Sequence, residues 1–170
     1  MLRGINVGGQ KRVSMQTLKE LYSSLGYKDV QTYVQSGNVV FSAPGNLSGI
    51  NDRLEKEIQR AFGFEVLVFL RDQKELATLV KNSPFKSKDE TKLRVTFLSE
   101  KPPSIPVADL NSAKSSAEDF LLSGKEVYLF CPNGYGVTKL SNSFFERKLK
   151  VSATTRNWRT VNTLLAMLSN

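Results

Sequence analysis

Apolar side chains recur at helical spacing in two segments near the start of the chain. The first segment covers residues 15–25 and follows Ser14, a residue type that caps helix N-termini, and the second covers residues 50–62. Four shorter apolar runs have the length of strands, and the Ser36-Gly37 pair between two of them predicts a hairpin turn. We therefore expect strands at residues 2–7, 30–35, 38–43 and 65–70. The order β-α-β-β-α-β predicts a ferredoxin-like subdomain over residues 1–71, with two helices on one face of an antiparallel sheet.

The remainder of the chain predicts a second α+β subdomain, which we place at residues 72–170. It begins at Asp72, whose spacing to the next glutamate is that of a helix capping box. Two C-terminal helices are expected, the last with Trp158 on its apolar face and Thr154 or Thr155 as its cap. The first of these two helices is predicted at residues 140–149. Before it we predict strands at residues 93–98 and 125–130, a helix at 107–113, and a helix or turn at 117–122.

The composition indicates a chain that can bury a core without covalent support. It has 170 residues, 40% of them hydrophobic, and a single cysteine, Cys131, which cannot form an intrachain disulfide. No run of about 18 apolar residues is present, and the first residues lack the apolar segment of a secretory signal. We expect a cytoplasmic protein with no membrane partner.

The chain contains no histidine, which excludes several classes of chemistry. A Ser-His or Cys-His nucleophile pair and an imidazole general base are impossible, and the usual ligand sets of a zinc site are missing. Lysine, tyrosine and carboxylates remain as possible acids and bases, and carboxylate-bound magnesium remains open. We predict no cofactor and no metal site.

Positive charge is concentrated near the C-terminus. The formal net charge is +8, and residues 72–134 contribute nothing to it. Residues 135–170 carry a net charge of +5, because only Glu146 opposes six basic side chains: Lys139, Arg147, Lys148, Lys150, Arg156 and Arg159. This asymmetry predicts an anionic partner, either nucleic acid or a small anionic ligand. The alternative is a set of solvated helix faces that keep the protein in solution.

A glycine-containing loop precedes one of the basic helices and forms the main candidate site. Helix N-termini offer free backbone N–H groups to an anion, glycines allow a ligand to approach closely, and arginines supply paired hydrogen bonds. The candidate anion-binding residues are Gly134, Tyr135, Gly136, Lys139, Ser141, Asn142, Arg156 and Arg159. The alternative for Tyr135 is packing on the neighbouring strand, and for Lys139 simple exposure to water.

Secondary candidates lie at the N-terminus. Gly8 and Gly9 match neither the P-loop nor the dinucleotide-binding spacing, so they are expected to form a turn. Arg3, Lys11 and Arg12 near this turn are possible anion contacts. The strand predicted at residues 38–43 lacks the aromatic cluster with which RNA-recognition modules stack bases, so the sheet is not expected to be a standard RNA platform.

Several long motifs make the chain resemble a known family. LRGINVGG, TYVQSGNVVF, VTFLSE, GYGVTKLSNSFFERKL and SATTRNWRTVNTLL are similar to the mostly bacterial proteins grouped as domain of unknown function 1697. The resemblance implies an α+β fold with two ferredoxin-like subdomains and extra C-terminal helices. It implies no activity and no catalytic residues. Members usually have a few more residues before LRGINVGG, so either the first strand is short here or the start of the chain is trimmed.

Three functions are consistent with these patterns. We favour a non-catalytic module that binds nucleic-acid phosphates through the basic C-terminal helices. The first alternative is a protein or enzyme that binds a small anion or metabolite at the GYG loop. The second alternative is an assembly or partner-binding protein that uses its sheets or the Phe144-Phe145 pair as an interface.

Overall fold

A computed structural model of the chain describes residues 1–45 and 47–169; Asn170, where the predicted second subdomain ends, lies outside the described residues. Within them the fold is α+β with antiparallel sheets. The elements are α1 (Met15–Ser24), β1 (Lys28–Tyr33), β2 (Asn38–Ser42), α2 (Ile50–Phe62), α3 (Gln73–Lys81), a 3-10 turn (Glu90–Lys92), β3 (Leu93–Leu98), α4 (Val107–Ala113), β4 (Asp119–Ser123), β5 (Glu126–Phe130), α5 (Asn142–Leu149), β6 (Ala153–Asn157) and α6 (Trp158–Leu168). The chain divides into two compact units, one formed by Met1–Arg71 with the C-terminal residues from Ala166, the other by Asp72–Leu165.

The first unit packs α1 and α2 around an apolar core. Leu18, Leu54 and Ile58 are fully buried in it. The Ser14 side chain accepts a hydrogen bond from the Thr17 backbone N–H at 3.3 Å, as the sequence predicts for a helix cap. β1 and β2 form the predicted antiparallel hairpin.

The strands predicted at residues 2–7 and 65–70 are wrong as continuous strands. Leu2 and Val68 form an isolated antiparallel bridge, supported by the Phe69 N–H donating to Met1 O at 2.8 Å, and Val7 forms a bridge with the nearby Gln10. The N-terminal segment turns away at once because Gly4 and Asn6 adopt left-handed φ angles of 68° and 55°. A strand needs extended φ angles throughout, so the sheet assigned to the first unit has two strands.

The turn between β1 and β2 is packed tightly against the N-terminal segment. The Leu2 backbone N–H donates to Gly37 O at 2.9 Å, and Gly37 has a φ of +77°. A Cβ atom at Gly37 would lie 2.8 Å from Leu2 Cβ and 2.9 Å from Ile5 Cδ1. This position therefore requires glycine for two reasons, its left-handed backbone and the absence of space.

The second unit contains a four-stranded antiparallel sheet in the order β4-β5-β3-β6. Its elements follow the sequence β3-α4-β4-β5-α5-β6, with β3 in the interior of the sheet. One face carries a core that includes Leu110 of α4 and Phe145 and Leu149 of α5. On the other face Tyr128 OH donates to Leu79 O of α3 at 2.9 Å, and the predicted Asp72–Glu75 capping box begins that helix.

Two predictions in the second unit are wrong. Residues 117–122 were expected to form a helix or turn, but Asp119–Ser123 is strand β4, paired with β5. Thr154 and Thr155 were expected to cap the last helix, but they lie in β6, where Thr155 faces Thr96 of β3. Runs of β-branched residues favour strands. α6 begins at Trp158, and the Asn157 side chain accepts from the Thr160 N–H at 2.7 Å.

Candidate functional site

The loop that contains the GYG motif leads into α5, and the side chains at this helix start are occupied by the protein itself. Ser141 is the N-cap, and its Oγ accepts from the Phe144 N–H at 3.3 Å. Thr155 Oγ1 of β6 donates to Asn142 Oδ1 at 2.6 Å. The side-chain oxygens of both candidate residues are thus engaged in fixing the helix to the loop and the sheet.

Tyr135 joins the same network. Its hydroxyl donates to Thr155 Oγ1 at 3.1 Å, and Thr155 Oγ1 lies 2.7 Å from Thr96 Oγ1. Burial raises the pKa of Tyr135, although hydrogen bonds with Thr155 and the Asn142 backbone lower it. The ring packs against the apolar core of the second unit. Tyr135 therefore joins the loop before α5 to β6, and its hydroxyl is engaged in that contact.

Lys139 is exposed and lines a pocket of about 230 Å³. Lys114, which the sequence did not indicate, lines the same pocket together with Asn133. Lys114 Nζ lies 3.2 Å from Asp119 Oδ1, so part of its charge is already compensated. Gly134, with a φ of +99°, turns the chain into this loop, and at Gly136 a Cβ would meet nothing within 4 Å.

A buried carboxylate lines this pocket. Glu118 is 6% exposed and accepts from the Ser115 N–H at 2.9 Å. Burial alone would raise the pKa of Glu118, but hydrogen bonds from Ser115 and Thr138 outweigh it and hold the pKa below its ordinary value. Burial, with the nearby Glu118 charge, raises the pKa of the Cys131 thiol to about 11. At neutral pH Glu118 is ionised, whereas Cys131 is a protonated core residue.

The two candidate arginines have different surroundings. Arg156 lies on β6, not at the helix start where the sequence interpretation placed it, and it is 8% exposed. Its Nη1 donates to Thr154 Oγ1 and to Thr155 O, both at 2.9 Å. Burial lowers the pKa of Arg156 to about 10, so the guanidinium is still charged at neutral pH. Arg159, in the first turn of α6, is exposed.

The secondary candidates lie in the first unit. Arg3 and Lys11 line a cleft of about 560 Å³ there, together with three carboxylates and a further lysine. Lys11 Nζ donates to Glu65 O at 2.6 Å, and Arg12 Nε donates to Gly9 O at 3.3 Å. Because basic and acidic side chains balance in this cleft, it offers no strong attraction for an anion.

A pocket that sequence analysis missed lies in the second unit. It has a volume of about 340 Å³ and is lined by Val80, Lys81, Ser83, Phe85, Lys86, Glu90, Leu93, Trp158 and Asn162; we call it the Trp158 pocket. Periodicity assigned Trp158 to the core, and its 6% exposure agrees with that. The only sequence signal for the pocket is the pair of lysines on either side of Pro84.

In residues 1–45 and 47–169 no three potential ligands among Asp, Glu, His and Cys form a group able to hold a metal ion. No helix in the same residues is long and apolar enough to cross a membrane.

The chain is an α+β protein with antiparallel sheets in two compact units. The chain belongs to the family described as Protein of unknown function (DUF1697), whose family model matches residues 1–128. It is also similar in structure to a conserved bacterial protein from Streptococcus pneumoniae, at 23% identity and a TM-score of 0.71. This similarity covers 99% of this chain and 96% of the other. No curated protein matches the sequence.

Proposed function

We propose that the protein is a non-catalytic module that binds the phosphates of nucleic acid through its second unit. The observation that carries the proposal is a set of cationic side chains in this unit that are exposed to solvent. In the part of the chain that the structure describes, these side chains make no hydrogen bond, ion pair or ring contact: Lys81, Lys86, Lys139, Lys150 and Arg159. Unpaired surface cations are the groups with which proteins replace the counterions of nucleic acid.

We also propose a fold for the second unit and a cellular location for the protein. The strand order β4-β5-β3-β6 and the sequence of elements β-α-β-β-α-β support a ferredoxin-like fold for the second unit. The buried free thiol of Cys131 supports a cytoplasmic location, because reducing compartments preserve such thiols. Phe144 and Phe145 are buried in the core, at 9% and 0% exposure, so they do not support an interface with a partner.

The test measures the binding of labelled single-stranded RNA, single-stranded DNA and duplex DNA by fluorescence anisotropy at several salt concentrations. For a single strand we expect log K to fall with log[salt] with a slope of about −0.7 per neutralised phosphate. The variant Lys139→Ala/Arg159→Ala should bind more weakly and with a smaller slope. Lys19→Ala/Lys28→Ala, which removes the same charge from exposed sites in the first unit, is the matched control. Absence of binding at low salt, or equal weakening by both variants, would overturn the proposal.

A second candidate function is the binding of a small anion in the pocket of Lys139. It is favoured by Lys139 and Lys114 in the lining, which face a single carboxylate, Glu118, that already accepts from the Ser115 N–H. Inorganic pyrophosphate should then raise Tm by preferential binding to the folded state, and Lys139→Ala should abolish the shift. No shift in the unaltered protein would exclude this function for pyrophosphate-like ligands.

A further inference from the structure

The Trp158 pocket combines an apolar wall with cationic and acceptor groups. Phe85, Leu93 and Trp158 form the apolar part, and they are 8%, 3% and 6% exposed. Phe85 is held in place by the Phe130 ring, at a centroid distance of 6.4 Å. Its backbone N–H also donates to Ser83 Oγ at 3.4 Å. The wall is therefore built from the core and is fixed before any ligand arrives.

The cationic groups of the pocket are Lys81 and Lys86. Lys81 is the last residue of α3, where the helix dipole favours a positive charge. Both side chains are exposed, and neither makes a hydrogen bond, ion pair or ring contact within residues 1–45 and 47–169. Two unpaired ammonium groups at one pocket are suited to a phosphate, which accepts several hydrogen bonds.

The acceptor groups are Asn162 and Glu90. Asn162 lines the pocket, and its Nδ2 donates to Trp158 O at 2.9 Å, which leaves its Oδ1 as an acceptor. Glu90, in the 3-10 turn, is exposed, and its carboxylate has no hydrogen-bond or ion-pair partner among the described residues. These two acceptors suit a ligand that carries N–H or NH₂ groups on a flat ring.

We propose that the Trp158 pocket binds one nucleotide whose base carries an exocyclic amino group, as a free nucleotide or as a unit of a single strand. Lys81 and Lys86 hold the phosphate, Asn162 Oδ1 and the Glu90 carboxylate accept from the amino edge of the base, and the apolar wall contacts the ring. The volume of about 340 Å³ lies at the lower end of the range for small-molecule pockets. As a site on a nucleic-acid strand, this inference rests on the proposed function; as a site for a free nucleotide, it stands alone.

The experiment uses Trp158 itself as the reporter, because it is the only tryptophan in the sequence. The full chain is titrated with CMP, AMP, UMP and inorganic phosphate while tryptophan emission is recorded. CMP and AMP should change the tryptophan emission in a saturable way, and UMP should bind more weakly than either. Inorganic phosphate alone should leave the emission unchanged. Lys81→Ala/Lys86→Ala should weaken CMP binding by about tenfold or more. Lys74→Ala/Lys101→Ala, which removes the same charge from exposed positions outside the pocket, should leave CMP binding unchanged.

A second variant tests the assignment of the base edge. Glu90→Gln adds an N–H donor to the pocket. It should narrow the difference in binding affinity between CMP and UMP, because uracil presents an acceptor where cytosine presents its amino group. Equal affinity for UMP and CMP in the unaltered protein would overturn the base assignment. An unchanged CMP affinity in Lys81→Ala/Lys86→Ala would overturn the phosphate assignment.

Oligonucleotides distinguish this inference from the proposed function. Labelled oligo-dC and oligo-dT are followed both by anisotropy and by tryptophan emission. If oligonucleotides bind by anisotropy while the tryptophan emission does not change and oligo-dC binds no more tightly than oligo-dT, the pocket is wrong and the proposed function stands. If CMP binds in the pocket but no oligonucleotide binds at low salt, the nucleotide site stands and the proposed function is wrong.

Discussion

Gly37 is a residue at which sequence, backbone and packing impose the same requirement. Its φ of +77° is unfavourable for any residue with a Cβ, and the nearest atoms of Leu2 and Ile5 leave no room for one. The turn between β1 and β2 and the N-terminal segment thus hold each other in place. A methyl group here must either move Leu2 or move the turn.

We expect Gly37→Ala to lower the free energy of unfolding by about 2 kcal/mol or more, from the left-handed backbone and the close contacts together. Chemical denaturation measures the change. Gly136→Ala is the control, because nothing lies within 4 Å of a Cβ there and its φ is outside the left-handed range; it should stay within about 0.5 kcal/mol. Equal effects of the two variants would contradict the packing argument.

Glu118 provides a pH-dependent contribution to stability. Its pKa is lowered in the folded protein from an ordinary value of 4.5. A lowered carboxyl pKa stabilises the folded state above the unfolded-state pKa, and this stabilisation is lost as pH falls through the folded-state pKa. Glu118→Gln should therefore lower the free energy of unfolding by about 1.5 kcal/mol or more at pH 7. The difference from the unaltered protein should shrink below pH 4.5. Denaturation at several pH values checks this, and a difference independent of pH would contradict it.

At the scale of elements, α5 is fastened to the rest of the second unit at its N-terminus. Ser141 caps it, and Asn142 and Tyr135 connect it to Thr155 on β6. The polar groups expected to bind an anion are thus used to position a helix. Among the predicted residues of this region, Lys139 and Arg159 are the exposed cations.

Replacement of the cap should be measurable. Ser141→Ala removes the acceptor for the Phe144 N–H and should cost about 1 kcal/mol of stability. Ser143→Ala, two residues further on at an exposed position, is the control and should change the stability far less. If thermal denaturation gives the same Tm for both variants, the cap does not hold the helix.

Local patterns are sufficient for most of the helices and for the β1–β2 hairpin, whereas strand β4 of the equally local β4–β5 hairpin is missed. α1, α2, α3 and α4 lie where spacing and caps predict them. β6 was missed because Thr154 and Thr155 are also common helix caps, and only pairing with the distant β3 decides between the two roles. The burial of Arg156 follows from the same pairing. The Trp158 pocket is equally non-local, because it joins α6 to residues around Pro84.

At the scale of the whole molecule, the thiol of Cys131 can report on the opening of the second unit. It is 1% exposed, and burial together with the Glu118 charge raises its pKa to about 11. The thiolate is the reactive form, so the native protein should react with iodoacetamide at pH 7.5 at least about a hundred times more slowly than the unfolded chain. Added denaturant should accelerate the reaction in step with unfolding. Fast labelling of the native protein would contradict the burial of this core.

The strand order of the second unit has a consequence for biosynthesis. β3 lies between β5 and β6, and both of these strands come later in the chain. The segment Leu93–Leu98 is mostly buried in the finished sheet. On the ribosome it has no neighbouring strand until β5 emerges, and its second neighbouring strand, β6 (Ala153–Asn157), emerges later still. A nascent chain stalled between these points exposes one edge of an apolar strand, the kind of surface that chaperones shield from aggregation. The second unit is therefore expected to complete its sheet only after Asn157 has emerged from the ribosome.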